Sequence, residues 1–160
     1  MGSAMEQLYQ QVILDHARLR SGAGTLEHPG GESFQVNPTC GDECRVQVAM
    51  DHDVLSSVAW TGRGCSISQA SLSVMHQMLA GETFQRAEEL GELFRRLMHS
   101  RGRELEGPEQ EQLEDLSAFT GVAKYPARIK CALLGWMALR DAMLQAQHGQ
   151  PLAEGPAGGA

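Results

Sequence analysis

"CRVQVAM", residues 44 to 50, alternates. Cys44, Val46, Val48 and Met50 stand on one side of an extended chain, with Arg45 and Gln47 on the other. A period of two predicts a half-buried β-strand. "VLSSVAW" (54–60) is a second such run, and "DHD" (51–53) between them reads as a hairpin turn. Upstream, "SFQV" (33–36) supplies a third strand. Beyond the hairpin the apolar spacing changes to that of helices. Residues 66–79 place Ile67, Ala70, Val74, Met75 and Met78 on one side, with Ser66 or Ser68 able to cap. Residues 85–99 carry Ala87, Leu90, Leu93, Phe94, Leu97 and Met98 on one stripe. Pro126 suits a first helical position, and the helix it opens is predicted to reach Gln147. Ahead of the strands, Met5–Leu19 is a further helix, with Leu8, Val12 and Leu19 near one face and Tyr9 and Ile13 beside them. A few strands followed by several helices predicts an α+β fold, a small antiparallel sheet covered on one side.

The rest of the chain links these elements. Residues 21–33 are rich in Gly and Ser and form a loop; 100–122 are irregular and acidic, with one helical turn at 109–116. Met1 to Ala4 read as a remnant of cloning. Residues 148–160, rich in Gly, Pro and Ala, are expected to be a disordered tail. That leaves one domain over 5–147, and 160 residues suit one core. The formal charge of -7 argues against nucleic acid or an anionic membrane as a partner. No apolar run approaches the roughly 18 residues of a membrane span. No charged N-terminal region precedes an apolar run, so a cytoplasmic protein is expected.

The four cysteines have different settings. Cys40 lies in the Pro/Gly-flanked loop "NPTCGD", two residues before Asp42. This is either an ordinary turn or a thiolate and a carboxylate placed to share one metal ion. Cys44 is in phase with Val46 and Val48 and reads as core. Cys65 follows "GRG" and precedes a helix, where exposed N–H groups favour a thiolate, although a small buried residue would suit that turn as well. In the last helix, Ile129, Leu133, Trp136, Met137 and Met143 form one broad apolar face; Cys131 falls opposite, with Gly135, Ala138 and Ala142. Small neighbours let another segment approach, which favours a working thiol. Three thiols and one carboxylate suit tetrahedral Zn²⁺. No histidine stands near a cysteine at ligand spacing.

The motifs "NPTCGD" (37–42), "GRGCSISQAS" (62–71) and "VAKYPARIKCALLGW" (122–136) together resemble the IscU/NifU-N/SufU iron–sulfur assembly proteins, over Leu8 to about Leu144. Lys130 directly before the third cysteine, where IscU proteins have histidine, and the long insertion between Cys65 and Cys131 resemble the SufU branch. The resemblance implies a SufE/NifU-like α+β fold and a Zn²⁺ ion held by Cys40, Asp42, Cys65 and Cys131. It implies a sulfurtransferase whose Cys40 accepts persulfide sulfur from a SufS-type cysteine desulfurase and passes it to downstream Suf cluster-assembly proteins. Arg128 and Lys130, beside Cys131, are candidates for docking or thiolate support, or are simply solvated charges. The rival readings are an IscU-like scaffold holding a transient [2Fe–2S] cluster, a non-catalytic zinc-stabilised interaction module, and a Cys40–Cys44 dithiol, which the strand phase opposes.

Overall fold

The computed structural model of the protein describes residues 3–148. Met1, Gly2 and the tail from 149 onward lie outside the described residues, and with them most of the expected disordered segment. The elements run α1 (Ala4–Leu19), β1 (Gly31–Asn37), β2 (Asp42–Asp51), β3 (Val54–Arg63), α2 (Ser66–Leu79), α3 (Phe84–Met98), α4 (Gly107–Leu113), a 3₁₀ segment (Glu114–Lys124) and α5 (Pro126–His148). The three strands form one antiparallel meander in the order β1-β2-β3. This is the expected α+β arrangement.

The alternation read in "CRVQVAM" sets the sheet's inner face. Cys44, Val46 and Val48 are buried, as are Leu55, Val58 and Trp60 of β3. Helix α5 lies across β1 and β2, while α2 packs between α5, α1 and the edge of β3. Phe34 and Val36 of β1 point outward instead and are half exposed, with the Arg45 guanidinium over the Phe34 ring.

Two expectations change and one is met. In α1 the buried residues are Ile13 and His16, and Leu8 and Leu19 are exposed. The reason is polar: His16 Nδ1 meets Ser73 Oγ at 2.9 Å and Nε2 meets Asp115 Oδ2 at 3.0 Å, so this histidine turns the helix inward. Helix α1 also begins earlier, with Ser3 and Glu6 forming a reciprocal capping box around its first turn. In α5 the small-residue side meets the rest of the protein, as read from the sequence, and the large face is split, with Trp136 and Met143 buried too. Cys131, Gly135, Ala138 and Ala142 are buried, whereas Met137 of the large face is 58% exposed. A Cβ on Gly135 would stand 2.4 Å from Leu72 Cδ2, so small residues there permit close approach to α2. The acidic stretch is ordered, as α4 and the 3₁₀ segment, whose Leu113, Leu116 and Phe119 are fully buried. No helix of the described residues is long and apolar enough to cross a membrane.

Candidate metal centre

Three separate chain segments end at one place. Asn37 pairs with Asp42 across the β1–β2 hairpin. The loop between them is closed by Asn37, whose carbonyl accepts from the Cys40 and Gly41 N–H groups at 3.3 and 2.8 Å and whose side chain accepts from Thr39 N–H at 3.1 Å. Gly41 takes the left-handed conformation this turn needs (φ +79°). The turn leaves Cys40 exposed at its tip and swings Asp42 inward, where it is 3% exposed. Cys65 is the N-cap of α2 and is half-buried. Cys131 comes from the second turn of α5 and is 3% exposed.

The side chains of all four converge. Cys40 Sγ and Cys131 Sγ are 3.6 Å apart. The Cys65 N–H donates to Asp42 Oδ1 at 3.1 Å, and its thiol reaches Asp42 Oδ2 at 3.4 Å. One ligand atom each from Cys40, Asp42 and Cys131 lie within 4.8 Å of one another, with Cys65 joined to the set through Asp42. All four cysteines are free thiols, and Cys44, 1% exposed, faces the core and takes no part. Its burial pushes its thiol up to about 12.

Electrostatics bear on what the cluster can hold. Burial opposes ionisation of Asp42, but hydrogen bonds from Cys131, from the Cys65 N–H and thiol, and from Cys40 outweigh it and keep this carboxyl below the usual carboxylate range. Burial first, then the nearness of Asp42, Cys40 and Cys65, pushes the Cys131 thiol well above its ordinary value. Four groups that would each be anionic cannot all ionise so close together without a cation among them. A divalent ion removes that conflict. Three soft sulfurs and one oxygen match the preference of Zn²⁺, so the residues present fit the ion.

The cluster forms the floor of an open cleft of about 520 Å³. Arg128 lines it, as does Arg63, the last residue of β3. Lys130 is exposed on α5 and is not among the lining residues. Arg63 was not among the candidates read from the sequence. Its place in "GRGC", two residues before Cys65, was the available signal.

The profile of the NifU-like N terminal domain matches residues 8–145. The chain is 37% identical over 148 residues to "Zinc-dependent sulfurtransferase SufU" of Bacillus subtilis, covering 91% of this chain and 95% of that one. It is 35% identical over 153 residues to "Iron-sulfur cluster assembly scaffold protein IscU" of Streptococcus pyogenes, covering 95% and 92%. Among solved structures, a putative iron–sulfur cluster assembly scaffold protein for the SUF system from Fervidobacterium islandicum superimposes with a TM-score of 0.76 at 34% identity, covering 89% of this chain and 99% of that one. A NifU-like N-terminal protein from Brucella abortus gives 0.80 at 26% identity, covering 92% and 99%. With the profile spanning most of the described domain, and relatives of this identity matched nearly end to end, the chain belongs to the NifU N-terminal domain family, the group of IscU- and SufU-type proteins.

Proposed function

We propose that this protein is a zinc-dependent sulfurtransferase of iron–sulfur cluster assembly that takes sulfane sulfur from a SufS-type cysteine desulfurase onto Cys40. One observation carries the reading: of the four clustered residues, Cys40 alone is exposed, while Asp42 and Cys131 are buried and Cys65 is half-buried. A transfer site needs one thiol that a partner can reach and others that stay put. The similarity to the B. subtilis protein supports it. Cys40, Asp42, Cys65 and Cys131 would hold the ion. Zinc, when bound, keeps the thiols deprotonated and does no redox work.

The chain's own part is exchange. The Cys40 thiolate attacks the terminal sulfur of the partner's persulfide. A new S–S bond forms at Cys40, the partner's S–S bond breaks, and its electron pair leaves with the partner's cysteine as a thiolate. No net oxidation occurs. Asp42 and Cys131 keep the site's shape while Cys40 moves between roles. Arg128, on the cleft wall, assists docking; Lys130 offers charge on the same helix further from the cleft.

The test is alanine release from cysteine by a SufS-type desulfurase, with reductant, with and without the zinc-loaded protein. Strong stimulation that Cys40→Ala abolishes and Cys44→Ala keeps supports the reading. Absence of stimulation with a matched partner removes it. The same cluster supports a second reading, a scaffold for a transient [2Fe–2S] centre, favoured by the likeness to the S. pyogenes protein. Anaerobic reconstitution with iron and sulfide, followed by visible absorption, separates the two. The cytoplasm is the setting we assign to both.

A further inference from the structure

Arg63 stands on the wall of the cleft above Cys40, Asp42 and Cys65, with a side chain 83% exposed. Its backbone is fixed by the β2–β3 ladder, in which it pairs with Glu43, and its Nε lies 3.5 Å from Glu43 Oε2. With Arg128 it makes a cleft lining whose exposed charges are cationic, in a chain whose formal charge is -7. The floor beneath is the reverse: three thiols and a carboxylate, which with a divalent ion sum to a net negative charge when the thiols are ionised. The sulfur donor inferred above is a persulfide, itself an anion in its ionised form. Transfer therefore brings an anion toward an anionic floor, and leaves a new persulfide anion on Cys40. Repulsion of this kind is offset by cations placed at the mouth, which raise the local concentration of anions and speed their approach.

We propose that Arg63 is a specificity-determining residue of the cleft, admitting anionic sulfur donors to Cys40. This rests on the sulfurtransferase reading for its donor, and on geometry alone for the anion preference. The two fail separately. The test uses the zinc-loaded protein and two disulfide reagents under single-hit conditions, with the adduct on the Cys40 peptide read by mass spectrometry. One is dianionic, 5,5′-dithiobis(2-nitrobenzoate); the other is neutral, 4,4′-dithiodipyridine. In each case the Cys40 thiolate forms a mixed disulfide and the reagent's other half leaves as a thiolate.

The expected result is that Arg63→Glu slows the anionic reagent about three- to tenfold at low salt, leaves the neutral one unchanged, and that the difference shrinks as salt rises. Arg63→Lys should keep most of the wild-type preference, since charge rather than fork geometry is invoked. An unchanged ratio of the two rates in Arg63→Glu overturns the proposal. So does an equal loss with both reagents, which would mean a shape change. If the ratio moves as expected and Cys40→Ala still stimulates the desulfurase fully, the anion gate stands and the sulfurtransferase reading falls.

Discussion

A Cβ on Gly64 would stand 2.4 Å from Asp42 Oδ1 and 2.6 Å from its Cγ. Gly64 has φ +155°, a conformation that side-chain-bearing residues rarely adopt. The glycine thus leaves the space in which the buried carboxylate sits and is hydrogen-bonded by Cys65. Gly64→Ala should push Asp42 out of position while leaving all four candidate ligands in the sequence. Zinc affinity is expected to fall about 10- to 100-fold, as when a group that orients a ligand is lost. Competition with a chromophoric chelator measures it, and far-UV circular dichroism should show the fold retained.

Cys44 is only four residues from Cys40, yet the two should behave as different chemical species. Buried at 1% exposure, with its thiol pushed up to about 12, Cys44 is expected to resist iodoacetamide at pH 8 in the folded protein and to react only after unfolding. Cys44→Ala should keep zinc stoichiometry and cost about 1–2 kcal/mol in stability, from the lost core contact. Rapid labelling of Cys44 in the native protein would contradict this.

His16 joins three elements that the sequence separates widely. It bonds Ser73 of α2 on one side and Asp115 of the 3₁₀ segment on the other, and Ser73 Oγ also accepts from Ser21 N–H at 3.0 Å. His16→Ala removes two side-chain hydrogen bonds and opens a void, at a cost of about 2–3 kcal/mol. Asp115 is 55% exposed and can turn to water, so the loss concentrates at the α1–α2 contact. Amide exchange should rise in Ala4–Leu19 and Ser66–Leu79, with zinc binding unaffected.

The outer face of the sheet offers a pH signature. Glu32 accepts from Gln47 Nε2 at 2.9 Å and from Arg45 Nη1. The Gln47 hydrogen bond, partly opposed by burial and aided by Arg45, holds the Glu32 carboxyl below its ordinary 4.5. A carboxyl depressed on folding stabilises the protein above the unfolded value and loses that contribution as pH falls through the folded one. Wild type should therefore exceed Glu32→Gln in Tm near neutral pH. The gap should narrow below pH 4.5 and vanish once pH is under the folded value. Exposure limits the gap at neutral pH to at most about 1 kcal/mol. A gap that widens on acidification would refute the assignment.

Much of this was legible in the chain. Strict alternation in 44–50 fixes which side of β2 is core, because a one-residue slip would turn Cys44, Val46 and Val48 to solvent. It therefore separated Cys44 from Cys40. The setting of Cys65 before a helix also reads locally, and Cys65 is the N-cap. What did not read is contact between distant segments. How closely the small side of α5 is met depends on Gly31 of β1 and Leu72 of α2, both distant in the chain. The inward turn of His16 depends on Asp115, and Arg63 becomes part of a cleft only once α5 brings Ala127 and Arg128 opposite. In the acidic 104–115 stretch, charge hid the buried Leu113 that anchors α4.

Helix α5 passes close over the start of β1, and that contact carries the last prediction. A Cβ on Gly31 would lie 1.9 Å from the Ala142 carbonyl oxygen and 3.1 Å from Ala146 N. These are helix backbone atoms, and no rotamer change can move them aside. The next residue back, Gly30, would meet Ala146 Cβ at 3.4 Å, an ordinary contact. Gly31→Ala is therefore expected to lever α5 off the strand and lose about 3 kcal/mol, whereas Gly30→Ala should stay within about 0.5 kcal/mol of wild type. Urea unfolding of the two variants measures the contrast. Because Cys131 rides on α5, Gly31→Ala should also weaken zinc binding through a residue far from any ligand. If both variants unfold at the same urea concentration, α5 does not sit on β1 as closely as these distances require.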